Sequence, residues 1–192
     1  MGRAVYLTFD DGPIPEVTPQ VLAILERYGV RATFFMVGEN IDKYPEVYRQ
    51  VVSAGHSVGN HTYNHLKGWK LRTPDYLANV AKWEEARNRQ ISANPSPLTP
   101  NPIFRPPYGR TWWWQRRALQ RLGYRIYLWD VLTRDYNPRR SPEAMLRQIQ
   151  RQTRPGSIIN FHDSLKSNER MLTVLPQAIE WLLAQGYELR TL

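Results

Sequence analysis

The chain contains four histidines, and two of them, His61 and His65, are four residues apart. Upstream, the apolar run at 5–9 predicts a buried strand that leads directly into Asp10 and Asp11. On a helix or a tight turn, histidines at this spacing point the same way, and with a nearby carboxylate they can bind a divalent metal ion. The second carboxylate then stays free to act as a base. These are the groups that a metal-dependent hydrolase needs.

Three further segments place polar residues after predicted strands. Arg105 lies where a strand runs into a diproline turn, and an arginine there can hold a carboxylate with two hydrogen bonds. Asp130 and Asp135 follow another predicted strand, and the next one ends at His162. Each segment alone is also typical of a plain turn or loop. Their order, and the use of three of the four histidines, favour one catalytic site.

Strands and helices alternate along the chain, which predicts a parallel α/β fold. We expect seven strands, at 4–9, 32–36, 57–59, 103–105, 124–129, 157–161 and 187–191. Helical periodicity covers 17–28, 43–54, 75–92, 112–122, 142–153 and 170–185. A barrel-like sheet is favoured over a doubly wound sheet, because no glycine-rich nucleotide loop follows the first strand. In such a barrel, the polar residues after the strands would meet at one end.

Bulk properties limit the kind of protein further. A length of 192 residues suits one domain, and the proline-rich segment 94–102 is too short to separate two, so we expect one domain over 1–192. There are no cysteines, which excludes disulfides, thiolate ligands and cysteine nucleophiles. The net charge of +9 favours an anionic partner such as nucleic acid, a membrane surface or an acidic cell-wall polymer. Solvated helix faces are the alternative explanation of that charge.

The sequence also bears on location. No apolar stretch approaches the roughly 20 residues that a membrane span needs. The chain opens on Met1-Gly2-Arg3 and enters a predicted strand almost at once, so we expect no signal peptide within it. Two alternatives stay open: the protein acts in the cytoplasm, or an export segment lies outside this sequence.

The motifs at 8–12, 61–65 and 105–108 read Thr-Phe-Asp-Asp-Gly, His-Thr-x-x-His and Arg-Pro-Pro-Tyr. They resemble those of the polysaccharide deacetylases of carbohydrate esterase family 4, the NodB homology domain, and the resemblance extends to His162. It implies a distorted (β/α) barrel of seven, or eight, parallel strands. It also implies one divalent metal ion, zinc first with cobalt, nickel or manganese as alternatives, bound by Asp11, His61 and His65. The implied reaction is hydrolysis of an N-acetyl or O-acetyl group on a sugar polymer.

The resemblance further implies roles for single residues. Asp10 would be the base that takes a proton from the attacking water, and Arg105 would orient it and keep it ionised. His162 would protonate the leaving nitrogen, with its pKa raised by Asp135. The backbone N–H of Tyr108 would contribute to the oxyanion site.

Two positions depart from the family pattern, and a third residue has a weaker claim. Tyr136 stands where a tryptophan is common, so the groove wall would differ. Asn160 replaces a leucine that usually packs on the acetyl methyl group; either it alters the acyl pocket, or it faces away towards a backbone group. Trp112 begins a run of three tryptophans at a predicted helix start. At least one should be exposed near the site, where a sugar could stack on it, although they could instead cover neighbouring elements.

The leading interpretation is a metal-dependent hydrolase that removes N-acetyl groups from an N-acetylglucosamine polymer, peptidoglycan or chitin-like. An O-deacetylase of acetylated xylan is the alternative within the same chemistry, and a carbohydrate-binding relative with weak turnover is the alternative of another class. The resemblance indicates a place in the cell envelope or outside the cell, with an acetylated polysaccharide as partner. No nucleic-acid recognition motif occurs, so we expect no nucleic-acid partner. The sequence does not define an oligomeric state.

Overall fold

The computed structural model describes residues 2–93 and 102–192. Within these ranges there are eight strands, and every strand pairing is parallel. The strands are β1 Ala4–Asp10, β2 Thr33–Met36, β3 Ser57–Asn60, β4 Ile103–Phe104, β5 Arg125–Ile126, β6 Val131–Leu132, β7 Ile158–His162 and β8 Glu188–Arg190. The helices are α1 Thr18–Arg27, α2 Gly38–Lys43, α3 Pro45–Ser53, α4 Thr73–Ala93, α5 Trp113–Arg121, α6 Pro142–Gln152 and α7 Asn168–Ala184. Short 3₁₀ turns cover Gly68–Lys70 and Pro107–Gly109.

The sheet runs in the order β5–β4–β3–β2–β1–β7–β6. β8 pairs with the first half of β1, while β2 pairs with its second half. In the described residues, the end strands β5 and β6 do not pair with each other, so the sheet curls into a half-barrel with an open seam. The expectation of a distorted (β/α) barrel with seven, or eight, parallel strands is confirmed.

The two faces of the strand β1 carry different chemistry. Val5, Leu7 and Phe9 are fully buried in the apolar core that the helices cover. The ring of Phe9 stacks against Phe34 at 4.9 Å and Phe161 at 5.7 Å, on the neighbouring strands. Burial of one such side chain stabilises the fold by about 1.5–3 kcal/mol. The alternate residues of β1 therefore point into the barrel, where the site forms.

Two elements were not expected from the sequence, and a third is shorter than expected. β6 contains only Val131 and Leu132, and α2 spans six residues, Gly38–Lys43. Neither is long enough to show a clear hydrophobic period, which is why the pattern did not predict them. The strand expected at 124–129 is shorter and covers only Arg125–Ile126. The proline-rich loop expected at 94–102 lies, apart from Pro102, outside the described residues. Among the described helices, none is both long and apolar enough to cross a membrane.

Candidate active site

The register of β1 against β7 brings two pairs of polar residues together inside the barrel. Asp10 lies opposite His162, and Thr8 lies opposite Asn160. Residues paired in this way point to the same face of a sheet. The ends of β1 and β7 therefore deliver a carboxylate and an imidazole to one edge of the barrel, as the sequence analysis expected.

A candidate metal cluster lies beside these strand ends, with Asp11 directly after β1 and His61 and His65 after β3. The Oδ1 atom of Asp11 is 3.2 Å from Nε2 of His65 and 3.7 Å from Nε2 of His61. One ligand atom from each residue lies within 4.8 Å of the others. In the described part of the chain, Asp11 Oδ1 is buried and has no hydrogen-bond partner. A buried carboxylate oxygen without a donor, facing two imidazole nitrogens, fits a bound cation.

The protonation of this cluster suits metal binding. His61 Nδ1 lies 2.8 Å from the carbonyl oxygen of Arg105, which can only accept, so Nδ1 carries the proton and Nε2 offers its lone pair. Burial lowers the pKa of His61 to about 4, which keeps it neutral. Burial alone would raise the pKa of Asp11, but the facing His65, His162 and His61 hold it below its ordinary value. The carboxylate is therefore ionised.

Left-handed backbone is concentrated in this region. Of the five described non-glycine residues with positive φ, four border the site: Asp11 at 85°, Thr62 at 63°, His65 at 53° and Tyr108 at 61°. Such conformations cost about 1–3 kcal/mol each and persist only where surrounding contacts hold them. Here the side chain of Asn60 accepts the Thr62 N–H at 2.9 Å. The two histidines thus come together on an irregular turn, not on a helix.

The carboxylate of Asp10 is held at both oxygens. Arg105 Nη1 donates to Oδ1 at 2.7 Å, and Asn160 Nδ2 donates to Oδ2 at 3.1 Å. Asp10 and Arg105 are both buried, and the Arg105 guanidinium lies 4.1 Å above the ring of Phe35. Charge-assisted hydrogen bonds of this kind fix the direction of a buried carboxylate.

Asn160 faces this carboxylate, contrary to the interpretation in which it turns away towards a backbone group. Its Oδ1 accepts hydrogen bonds from Arg105 Nη1 at 2.7 Å and from Thr8 Oγ1 at 3.1 Å. Because its Nδ2 also donates to Asp10, both the oxygen and the nitrogen of the side-chain amide form hydrogen bonds, and the side chain is fully buried. Asn160 is therefore part of the polar network beneath Asp10.

His162 is paired with Asp135 and not with Asp130. Asp135 Oδ1 lies 2.8 Å from His162 Nδ1, and Oδ2 accepts the His162 backbone N–H at 2.7 Å. Burial opposes a charge on His162, but Asp135 and the nearby carboxylates raise its pKa to about 9. The imidazole is thus cationic at neutral pH. Asp130 is exposed and instead accepts the backbone N–H of Ile158 at 2.8 Å.

Asp163 supports the loop that carries Asp11, a role that the sequence analysis missed. Its Oδ1 accepts the Gly12 N–H at 3.0 Å, and its Oδ2 accepts the Thr18 hydroxyl at 2.6 Å. A Cβ atom on Gly12 would lie 2.1 Å from Asp163 Oδ2, so this close approach requires glycine. Burial raises the pKa of Asp163 to about 8. The adjacent acid in His162-Asp163 was the available signal.

Three of the four expected substrate-binding residues, all except Asn160, are exposed around the site. The Tyr108 ring is 4.8 Å from the His65 ring and is 53% exposed. The Tyr136 ring lies edge-on to His162 at 5.0 Å and is also exposed. Trp112 is exposed further along the rim, where its indole N–H donates to the carbonyl of Trp69. The two tyrosines therefore lie next to different histidines of the site, Tyr108 beside His65 and Tyr136 beside His162.

A curled parallel barrel with carboxylates and imidazoles at its strand ends has the groups that metal-assisted hydrolysis requires. A family model described as "Polysaccharide deacetylase" matches residues 1–127. The chain belongs to the polysaccharide deacetylase family, as its motifs predicted.

Particular relatives narrow the comparison. A chitooligosaccharide deacetylase of Azorhizobium caulinodans is 33% identical over 207 residues, covering 98% of this chain and 92% of that protein. A peptidoglycan-N-acetylglucosamine deacetylase of Bacillus cereus is 35% identical over 160 residues, covering 83% of this chain. The matched region spans 56% of that relative's length. The solved Bc1960 peptidoglycan N-acetylglucosamine deacetylase, in complex with 4-naphthalen-1-yl-N-oxidanyl-benzamide, has a TM-score of 0.92 at 32% identity, covering 100% of this chain and 86% of that one.

Proposed function

We propose that this protein is a metal-dependent hydrolase that removes N-acetyl groups from an N-acetylglucosamine-containing polysaccharide, peptidoglycan or chitin-like. The observation that carries the proposal is the buried Oδ1 of Asp11, which faces His61 and His65 beside a second carboxylate held at both oxygens. The relatives named as peptidoglycan and chitooligosaccharide deacetylases support this substrate class.

Asp11, His61 and His65 would hold the metal ion. Zinc is our first choice, with cobalt, nickel or manganese as alternatives, because two imidazoles and one carboxylate suit all of them. When bound, such an ion polarises the acetyl carbonyl and lowers the pKa of a bound water molecule.

Asp10 would act as the base that accepts the proton of the attacking water. Arg105 donates to its first oxygen and Asn160 to its second, so the direction of the carboxylate is set before the substrate arrives. Because the amide of Asn160 is engaged at both ends, we place it as a positioning residue beneath the base and not as a contact of the acetyl methyl group.

His162 would act as the acid that protonates the leaving nitrogen. Its Nδ1 is engaged by Asp135, so Nε2 is the atom that can donate to the substrate. The raised pKa of His162, about 9, keeps that proton in place at neutral pH. An amine leaves poorly without a proton, so amide hydrolysis needs this group more than ester hydrolysis does.

The remaining residues would bind the substrate. We assign the backbone N–H of Tyr108 to the developing oxyanion, and the rings of Tyr136 and Trp112 to the sugar at the rim. We also propose that residues 1–192 form one catalytic domain and that it acts on the cell wall, in keeping with the peptidoglycan deacetylase relatives.

The test is acetate release from N-acetylglucosamine oligomers by purified protein, before and after metal stripping and with zinc or cobalt added back. We expect release that stops on stripping and returns with metal. Acetylated xylan, assayed in parallel, separates amide from ester preference. If protein with bound metal, confirmed by elemental analysis, releases no acetate from the oligomers, the proposed N-deacetylase activity is wrong.

A further inference from the structure

A row of aromatic rings begins at the candidate metal cluster and leads away from it. The centroid of the Tyr108 ring lies 4.8 Å from that of His65, and the Trp69 ring meets Tyr108 edge-on at 5.5 Å. Trp112 then donates its indole N–H to the carbonyl oxygen of Trp69 at 3.2 Å. The rings of His65, Tyr108 and Trp69 are thus in contact, and the hydrogen bond to the Trp69 backbone links them to the start of α5.

The row continues along the first turn of α5. The Trp112 ring stacks on Trp114 at 4.8 Å with an angle of 11°, and Trp113 meets Trp114 edge-on at 5.6 Å. All three indoles are exposed, and Trp113 is 63% exposed. We call Tyr108, Trp69, Trp112, Trp114 and Trp113 the aromatic row. An exposed apolar surface that continues an active site is typical of a binding surface.

A buried side chain holds the row in shape. Gln115 is fully buried; its Oε1 accepts the Trp112 backbone N–H at 3.0 Å, and its Nε2 donates to the carbonyl oxygen of Gly68 at 3.0 Å. It therefore ties the start of α5 to the turn that carries Trp69. Rings that are fixed before a ligand arrives lose less entropy on binding than mobile ones.

Cations border the row, and acids are missing from its main segment. Residues 106–129 contain five arginines and no aspartate or glutamate. Lys67 Nζ lies 5.4 Å from the centre of the Tyr108 ring, Arg110 lies 5.1 Å from that of Trp69, and Arg117 lies 5.8 Å from that of Trp113. The surface offers apolar faces with positive charge beside them, which suits a polymer of sugars that carries carboxylates.

We propose that the aromatic row binds an anionic glycan chain on the sugars beyond the one that is deacetylated. The sugar faces stack on the indoles, and Lys67, Arg110 and Arg117 pair with carboxylates along the chain. This inference depends on the proposed function for the identity of the polymer. Single-stranded nucleic acid has similar chemistry, but continuity with the deacetylase site favours the glycan.

The experiment compares a short ligand with a long one. Binding of the N-acetylglucosamine dimer and of soluble peptidoglycan strands is measured on metal-loaded protein carrying Asp10→Asn, which would prevent turnover. Trp113→Ala should weaken binding of the long strands by about three- to tenfold, because one stacked ring is lost. The affinity for the N-acetylglucosamine dimer should not change. Trp113→Phe, which keeps a ring, should restore most of the affinity. Arg110→Gln should reduce the salt dependence of long-strand binding.

Leu183→Ala is the matched control. Leu183 is an exposed apolar residue near the end of α7, at the opposite end of the barrel, and its removal should change neither affinity. Equal effects of Trp113→Ala on dimer and long strands, or no effect on either, would overturn the proposal, as would a single-stranded oligonucleotide that displaces the glycan at equal concentration. Acetate release by the unmodified chain is measured separately. If the chain releases no acetate but its glycan binding still depends on the aromatic row, the proposed deacetylase activity is wrong and the proposed role of the aromatic row stands.

Discussion

At the scale of single residues, Asp10 and Asp11 are adjacent carboxylates whose surroundings separate their chemistry. Asp11 Oδ1 faces two imidazoles and, among the described residues, accepts no hydrogen bond, whereas Asp10 is held by Arg105 and Asn160. Neighbouring acids acquire distinct roles when their environments differ in this way. The strand end thus places the proposed metal ligand and the proposed base next to each other with no intervening residue.

Replacing Asn160 with leucine tests its assignment beneath the base. Asn160→Leu removes one donor to Asp10 and one acceptor that the buried Arg105 and Thr8 share, so we expect a loss of about 1–3 kcal/mol in the free energy of unfolding. We also expect a lower kcat with little change in KM and unchanged metal content. Chemical denaturation measures the free energy of unfolding, steady-state kinetics measures kcat and KM, and elemental analysis measures the metal content. A raised KM with unchanged kcat would instead indicate that Asn160 contacts the substrate.

The charge on His162 predicts how activity depends on pH. With its pKa raised to about 9, His162 is the protonated acid at neutral pH, and amide hydrolysis should decline as pH rises through that value. Asp135→Asn removes the carboxylate that raises the pKa, so the alkaline limb should move to lower pH. The pH profile of kcat measures this for both proteins. An alkaline limb that does not move in Asp135→Asn would contradict the pairing.

The raised pKa of His162 also makes the stability of the fold depend on pH. The folded pKa of His162 lies above its unfolded value of 6.5, so its contribution is fully present below about 6.5 and is lost as pH rises through about 9. The buried Asp163 acts in the same direction: its pKa is raised from 3.8 to about 8, so the unfolded state ionises first and stability falls as pH rises from about 3.8 to about 8. Stability should therefore decrease between neutral and alkaline pH.

At the scale of elements, short irregular loops determine the geometry of the site. The strands end at fixed positions, but Asp11, Thr62, His65 and Tyr108 follow them in left-handed conformations. The loop after β1 depends on the contact between Gly12 and Asp163, which joins the first and seventh strands beyond their last ladder pair.

Gly12→Ala tests that contact. The added Cβ would overlap with Asp163 Oδ2, so we expect a loss of about 1–3 kcal/mol in stability and weaker metal binding through the displaced Asp11. Gly2→Ala is the matched control, because a Cβ there would meet only Glu188 Oε2, at 3.9 Å. Thermal denaturation and metal titration of the two variants measure the difference. Equal behaviour of both would show that the contact is unimportant.

At the scale of the whole molecule, metal binding and folding should be linked. β1 leads into Asp11 and β3 leads into His61 and His65, so an ion bound between them would join distant parts of the chain. At a metal concentration 100 times its dissociation constant, the folded state gains about 2.7 kcal/mol. We expect zinc to raise the Tm, His65→Ala to lose both this shift and turnover, and Asp10→Asn to keep the shift while losing turnover. Differential scanning calorimetry with and without zinc tests this.

Prediction from the sequence succeeded where local patterns carry the information. The apolar run of β1, the helical periods and the motif residues identified the barrel and the residues that meet at its mouth. Contacts between distant segments could not be predicted in the same way. Asn160 became interpretable only through the register that places it opposite Thr8, and Asp163 only through its approach to Gly12. Such pairs depend on how strands align and not on any local period.

The open seam between β5 and β6 has a consequence for dynamics. Arg105 donates to the carbonyl oxygens of Tyr127 and Leu128, in the segment that joins these two strands, and the same guanidinium holds Asp10. One side chain therefore bridges the wall where strand pairing is missing and also orients the Asp10 carboxylate. We expect fluctuation of residues 125–132 and loss of the fixed orientation of Asp10 to occur as a single event. Amide hydrogen exchange in that segment would report, without any substrate, how often the site is assembled.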